Sequence, residues 1–126
     1  MRLEFCENKL KTVFEVTDEG KLLLLHFSNA DFDESKINDK AKRWFTPVEV
    51  HVSGGNQDDH HGAKHTASSA SFSLKYKDHK YYENELGGKL EFLLEDDALS
   101  VTLHYQFYKN VSGVRTWVDV LNISPF

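Results

Sequence analysis

The stretch Leu99-Ser100-Val101-Thr102-Leu103-His104-Tyr105-Gln106-Phe107 alternates apolar and polar side chains without a break. Successive side chains of an extended chain point to opposite faces. Leu99, Val101, Leu103, Tyr105 and Phe107 therefore share one face, and Ser100, Thr102, His104 and Gln106 share the other. This pattern predicts a strand with its odd face on a core and its even face wet. Upstream, Lys89 to Glu95 places Leu90, Phe92 and Leu94 on one face, and Glu95-Asp96-Asp97-Ala98 supplies the short polar residues of a turn. The two runs read as a hairpin. Downstream, Asn110-Val111-Ser112-Gly113 forms a second turn into Val114 to Ile123. That last run is apolar on both faces through Trp117, Val118, Val120 and Leu121, which predicts a mid-sheet strand with Trp117 in the core. Three consecutive strands make a meander.

The first half repeats the theme less regularly. Leu3 to Glu7, Thr12 to Val16 and Leu22 to Phe27 read as short strands separated by Asn8-Lys9 and Asp18-Glu19-Gly20. Val48, Val50 and Val52 alternate with Glu49 and His51; Phe72, Leu74 and Tyr76 alternate with Ser71, Ser73, Lys75 and Lys77. Eight or nine short strands between turn signals predict an all-β, antiparallel two-sheet sandwich, with residues 1–126 forming one domain. Two polar connections interrupt the pattern. Residues 28–46 accommodate a helical turn around Asp33 to Lys42, and residues 53–70 have the length of a functional or disordered loop.

Composition narrows the function. A chain of 126 residues, 40% hydrophobic and 13% aromatic, has a globular make-up and buries roughly two-thirds of its unfolded surface. Its net charge of −5 comes without a basic stripe, which argues against nucleic acid and against anionic membrane surfaces as partners. The longest apolar run, Leu22 to Leu25, is far too short to span a bilayer. Met1-Arg2-Leu3-Glu4-Phe5 lacks the unbroken apolar run of a secretory signal. Cys6, the single cysteine, reads as a small half-buried strand residue. The expected location is cytoplasmic, which makes the sequons at Asn110 and Asn122 coincidental.

Few residues carry a chemical signal. Asp58, Asp59, His60, His61 and His65 have the donor chemistry of a zinc site. No second ligand pair is spaced to complete a tetrahedron, however, and Gly62 weakens any helix that would align His61 with His65. His60, His61 and His65 are thus the candidate ligands in a chain expected to hold neither metal nor cofactor. Asp96 and Asp97 sit where acids serve turn chemistry, and no nucleophile elbow, phosphate loop or dinucleotide fingerprint is present. No catalytic residue is expected. At the end of the first polar connection, Trp44 can stack on the apolar face of a sugar while Arg43 donates to hydroxyls; alternatively Trp44 packs at the start of a Val48 strand. Tyr81 and Tyr82 read as strand and edge packing.

Three stretches together resemble a known family. They are PVEVHVSGGNQDDHHGAKH from Pro47 to His65, Tyr82-Glu83-Asn84-Glu85-Leu86-Gly87, and LSVTLHYQFYKNVSGVRTWVDVLN from Leu99 to Asn122. In order and spacing they are similar to the amino-terminal domain of glycoside hydrolase family 36, the retaining α-galactosidases or melibiases. The resemblance implies a galactose mutarotase-like β-supersandwich ahead of a (β/α)8 barrel and a small carboxyl-terminal β domain. It also implies a nucleophile and an acid/base that are both barrel aspartates, and the barrel is absent from these residues. The expected identity is a truncated amino-terminal segment, non-catalytic alone, that supports the barrel of its own polypeptide and mediates homo-oligomer contacts.

In that family a loop of this domain reaches the rim of the galactoside site with an Asp-Phe-Arg-x-Pro character. Here the place reads Arg43-Trp44-Phe45-Thr46-Pro47. Only the proline is kept, with an aromatic in place of the phenylalanine, so the Asp and Arg contacts do not carry over. Arg43 and Trp44 remain the substrate-rim candidates. Two other readings stand beside this one: an independent carbohydrate-binding module, and an epimerase-like sugar enzyme using a His and a Glu that face each other.

Overall fold

The computed structural model describes residues 1–50 and 73–124, and within them the chain forms two antiparallel sheets. The first contains β1 (Arg2–Glu7), β2 (Leu10–Val16) and β3 (Leu22–Ser28). The second contains β4 (Lys75–Glu83), β5 (Gly88–Glu95), β6 (Leu99–Phe107) and β7 (Val114–Asn122). Each sheet is a meander in chain order. The fold is the all-β sandwich expected from the alternation, with seven strands among the described residues.

Local chemistry sets the turns. Asn8 and Lys9 carry φ of 48° and 70°, the left-handed pair that a two-residue hairpin needs to match strand twist. Between β5 and β6, Asp96 accepts from the backbone N–H of Ala98 at 2.8 Å and of Leu99 at 2.7 Å. Asp96 does the turn chemistry its position predicted. Between β4 and β5, Asn84 Oδ1 accepts from Leu86 N–H and Gly87 N–H, an Asx turn.

Phe14 of β2 lies at the centre of the core, fully buried, with Phe92 of β5 at 4.7 Å and Tyr105 of β6 at 5.4 Å between ring centroids. Leu90, Leu94, Val101, Leu103 and Phe107 complete that layer from the four-stranded side. Burial pushes the Tyr105 hydroxyl well above the usual phenol range. The connection after β3 lies against the other side of the three-stranded sheet. There Arg2 and Lys42 hold Glu15 at 3.0 and 2.9 Å, and Arg2 also reaches Glu34 and the ring of Phe32. Val13 and Leu23 are buried although they lie outside the inter-sheet cluster.

Several expectations are corrected. Among the described residues β7 is the edge strand of its sheet, not a mid-sheet strand, and Trp117 is 37% exposed rather than core. Three strands facing four leave β7 overhanging: of its core-side residues, Val114 packs on the core while Val118 and Val120 are exposed. The even face of β6 is not uniformly wet, because His104 and Gln106 are buried. Residues 48–50 are not in a strand, and the rest of that alternation and the 53–70 connection lie outside the described residues. The fourth described strand starts at Lys75, and Cys6 is exposed.

Candidate functional site

The outer face of the four-stranded sheet carries a dense polar cluster. Strand register builds it. Lys80, Glu91, His104 and Trp117 are paired in one row across β4 to β7, and Tyr82, Lys89, Gln106 and Arg115 in the next. Alternation on each strand puts both rows on the face away from Phe92 and Tyr105. The Lys89 ammonium is buried, and burying a charge is costly unless it is paired. It lies 2.7 Å from His104 Nδ1, 3.7 Å from Glu91 and 4.8 Å from the centre of the Trp117 ring.

Those contacts define how His104 is used. Charged lysine is a donor only, so Nδ1 accepts and Nε2–H donates to Asp119 at 2.8 Å. The imidazole then stacks flat on Trp117, with centroids 4.8 Å apart and planes 4° apart. Arg115 lies 5.5 Å from the same indole. Glu91 sits among Lys80, Lys89 and His104, and it also binds the Tyr82 hydroxyl, which raises the phenol's pKa.

Chemically the arrangement is not that of a proton-transfer centre. A His and a Glu do meet, at 3.6 Å. They stand side by side on one sheet face, however, and both imidazole nitrogens are engaged. A substrate proton would find no free base at His104. The groove beside the cluster, lined by Asp78, Lys80, Glu91, Leu93 and Thr102, holds about 270 Å³. That is just under the range of pockets that enclose small ligands.

The residues singled out in the sequence lie elsewhere. Arg43 and Trp44 belong to a 3-10 turn, Lys42–Trp44. Lys42 pins this turn to Glu15 of β2, and Phe45 O accepts from Leu24 N–H of β3 at 2.8 Å. Trp44 is half-buried there, on the other sheet from the His104 cluster. His60, His61 and His65 lie outside the described residues. Among the described residues no group of three His, Cys, Asp or Glu side chains is placed to hold a metal ion, and no helix is long and apolar enough to cross a membrane. Sequence reading passed over Lys89, Glu91, His104 and Asp119. Their signal was the charge carried on one parity of β5, β6 and β7, which converges only once the register is known.

No family model matches the chain, and no curated protein matches it in sequence. Solved structures match it in fold. A variant of the GH36 α-galactosidase AgaA from Geobacillus stearothermophilus, in complex with 1-deoxygalactonojirimycin, superposes with a TM-score of 0.62 at 17% identity. That match covers 98% of this chain and 22% of that chain. The GH36 α-galactosidase AgaB from the same organism gives a TM-score of 0.62 at 19% identity, over 98% of this chain and 21% of that one. A second AgaA variant, in complex with raffinose, gives 0.59 at 16% identity, over 98% and 22%. The chain has the fold of one part of these enzymes and spans 21–22% of their length.

Proposed function

We propose that this chain is the non-catalytic amino-terminal β-sandwich of a cytoplasmic α-galactosidase of the family 36 type. It supports a catalytic barrel of the same polypeptide and contributes contacts between subunits. The observation that carries the reading is the superposition on α-galactosidases over 98% of this chain against 22% of theirs. Two of the three stretches that resemble the family fall on structural features, Tyr82 to Gly87 on the Asx-turn hairpin and Leu99 to Asn122 on β6 and β7, while most of Pro47 to His65 lies outside the described residues.

In the whole enzyme, hydrolysis of a terminal α-galactoside needs two carboxyl groups flanking the glycosidic bond, one as nucleophile and one as acid/base. The reading assigns both to the barrel. Within this chain, Arg43 and Trp44 are the residues proposed for the rim of the sugar site. Support comes from the turn itself, since its ion pair to Glu15 fixes where the half-buried Trp44 stands. A second reading, an independent carbohydrate-binding module, is favoured by one observation: the exposed Trp117 ring, ordered by its stack on His104.

Calorimetric titration of the chain with galactose and raffinose, together with a chromogenic α-galactoside assay, separates these readings. A supporting domain gives no saturable binding and no turnover. Saturable binding that Trp117→Ala abolishes and Trp44→Ala spares would favour the module. Turnover that is lost on replacing an acid of this chain would overturn the proposal.

A further inference from the structure

Among the described residues, β7 ends its sheet, and no strand pairs with the outer side of its backbone from Val114 to Val120. The bond from Ile123 N–H to Ala98 O at 2.8 Å fixes which side that is. Hydrogen-bonding direction alternates along a strand. Arg115, Trp117, Asp119 and Leu121 therefore aim their N–H and C=O groups at β6, and Thr116, Val118 and Val120 aim theirs outward. The strand is also apolar on both faces where it is open: Val118 is 39% exposed and Val120 53% on the core side, and Leu121 63% on the outer side. Edge strands are normally blunted by charged side chains, proline or a bulge. β7 has no proline, its two charges, Arg115 and Asp119, are of opposite sign, and its pairing with β6 runs through nine positions without a register shift.

We propose that β7 is an association edge that pairs, antiparallel, with β7 of a second copy of this chain. The sequence of the strand argues for that occupant, because it is self-complementary. Opposed residues in an antiparallel pair exchange both bonds or neither, so outward-aimed residues face outward-aimed residues, and the two-fold axis must pass through a residue. Centred on Trp117, the pairing sets Arg115 of each copy opposite Asp119 of the other. It also sets Trp117 opposite Trp117, Thr116 opposite Val118, and Val114 opposite Val120. Centred on Val118, it sets Arg115 opposite Leu121 and Asp119 opposite Trp117, which leaves all four charges without opposite partners. Centred on Asp119, it brings two carboxylates face to face. Charge selects the Trp117 register. In each copy the Asp119 side chain is 72% exposed and open to a guanidinium beside its bond to His104. The product is one continuous sheet of eight strands with an isologous, two-fold interface.

The test is sedimentation equilibrium of the chain in a Cys6→Ser background, which removes the exposed thiol as a source of disulfide-linked dimers. The wild-type edge gives a monomer–dimer equilibrium. Arg115→Asp or Asp119→Arg alone places like charges opposite each other and weakens the dimer by about tenfold. The double swap recovers most of that loss relative to either single change. Val118→Pro removes an outward N–H without touching the bonds to β6, so it abolishes the dimer while the circular dichroism of the fold is kept. A monomer at millimolar concentration overturns the proposal. So does a dimer indifferent to the charge swap. Exchange protection of Thr116, Val118 and Val120 amides in a monomer would assign the edge to a segment of the same chain, and likewise overturns it. No sugar enters the experiment, so a negative result leaves the galactosidase reading standing.

Discussion

Gly87 and Gly88 are neighbours, but a methyl group would meet different obstacles at each. At Gly87, φ is 151° and an added Cβ would lie 2.6 Å from the backbone oxygen of Phe107. At Gly88 it would lie 2.1 Å from the Tyr81 hydroxyl and 2.4 Å from Glu7, whose carboxylate accepts from Gly88 N–H at 2.6 Å. Side chains can swing away at some loss of bonding; the Phe107 carbonyl, on the backbone at the end of β6 and held by Gln106 Nε2, has far less freedom. Gly87→Ala is therefore expected to cost about 3 kcal/mol or more, and Gly88→Ala about 1–2 kcal/mol, by urea denaturation. The Asn8-Lys9 turn predicts the opposite sign. Lys9 holds a left-handed φ of 70°, and Lys9→Gly is expected to stabilise by about 0.5–1 kcal/mol. The Asn8-Lys9 and Asp96 turns were legible because turn chemistry is local. The burial of His104 and Gln106 was not, because what covers them comes from β5, β7 and the Asn84 turn. Gln106 alone bonds Asn84, the carbonyl of Gly88 and the carbonyl of Phe107.

Between strands, charge is arranged so that single removals cost more than paired ones. Replacing His104 by Leu strips the buried Lys89 ammonium of its nearest acceptor. The expected loss is about 3 kcal/mol. Lys89→Met with His104→Leu should recover most of it, and a double-mutant cycle measures that coupling directly. Glu15 ties β2 to β1 and to the Lys42–Trp44 turn. Burial alone would raise its pKa, but the bonds from Lys42 and Arg2 outweigh burial and hold it below the usual carboxylate range. A depressed folded pKa contributes stability above the unfolded value of about 4.3 that is lost as pH falls through the folded one. Stability should therefore decline below about pH 4.5, and Glu15→Gln should be less stable at neutral pH and flatter across that range. At this scale the extent and the core face of β6 were legible, since nine alternating residues admit one strand, but the cover on its other face was not. β7 was misplaced because apolar side chains on both faces signal burial, and among the described residues that apolar surface lies open at an edge.

Across the whole molecule, alternation and turn spacing were enough for two antiparallel sheets, but not for how one sheet lies over the other. The overhang of β7 and the cover on Val13 and Leu23 depend on side chains far apart in sequence. This architecture gives two aromatics contrasting roles that can be measured. Phe14 is fully buried between the sheets and touches both central strands of the four-stranded one. Phe14→Ala is expected to cost about 3–5 kcal/mol, the range for emptying an aromatic site in a core. Trp44 is half-buried on a turn at the margin of the other sheet, held there by backbone bonds and the Lys42–Glu15 pair rather than by its ring alone. Trp44→Ala is therefore expected to cost about 1–2 kcal/mol, with an unchanged dependence of stability on urea in both variants. A ring that serves the rim of a sugar site can be cut away without much loss to the fold, whereas one that serves the fold cannot. If Trp44→Ala proved as damaging as Phe14→Ala, the indole would belong to the packing of the sandwich, and the rim role proposed for it would be lost.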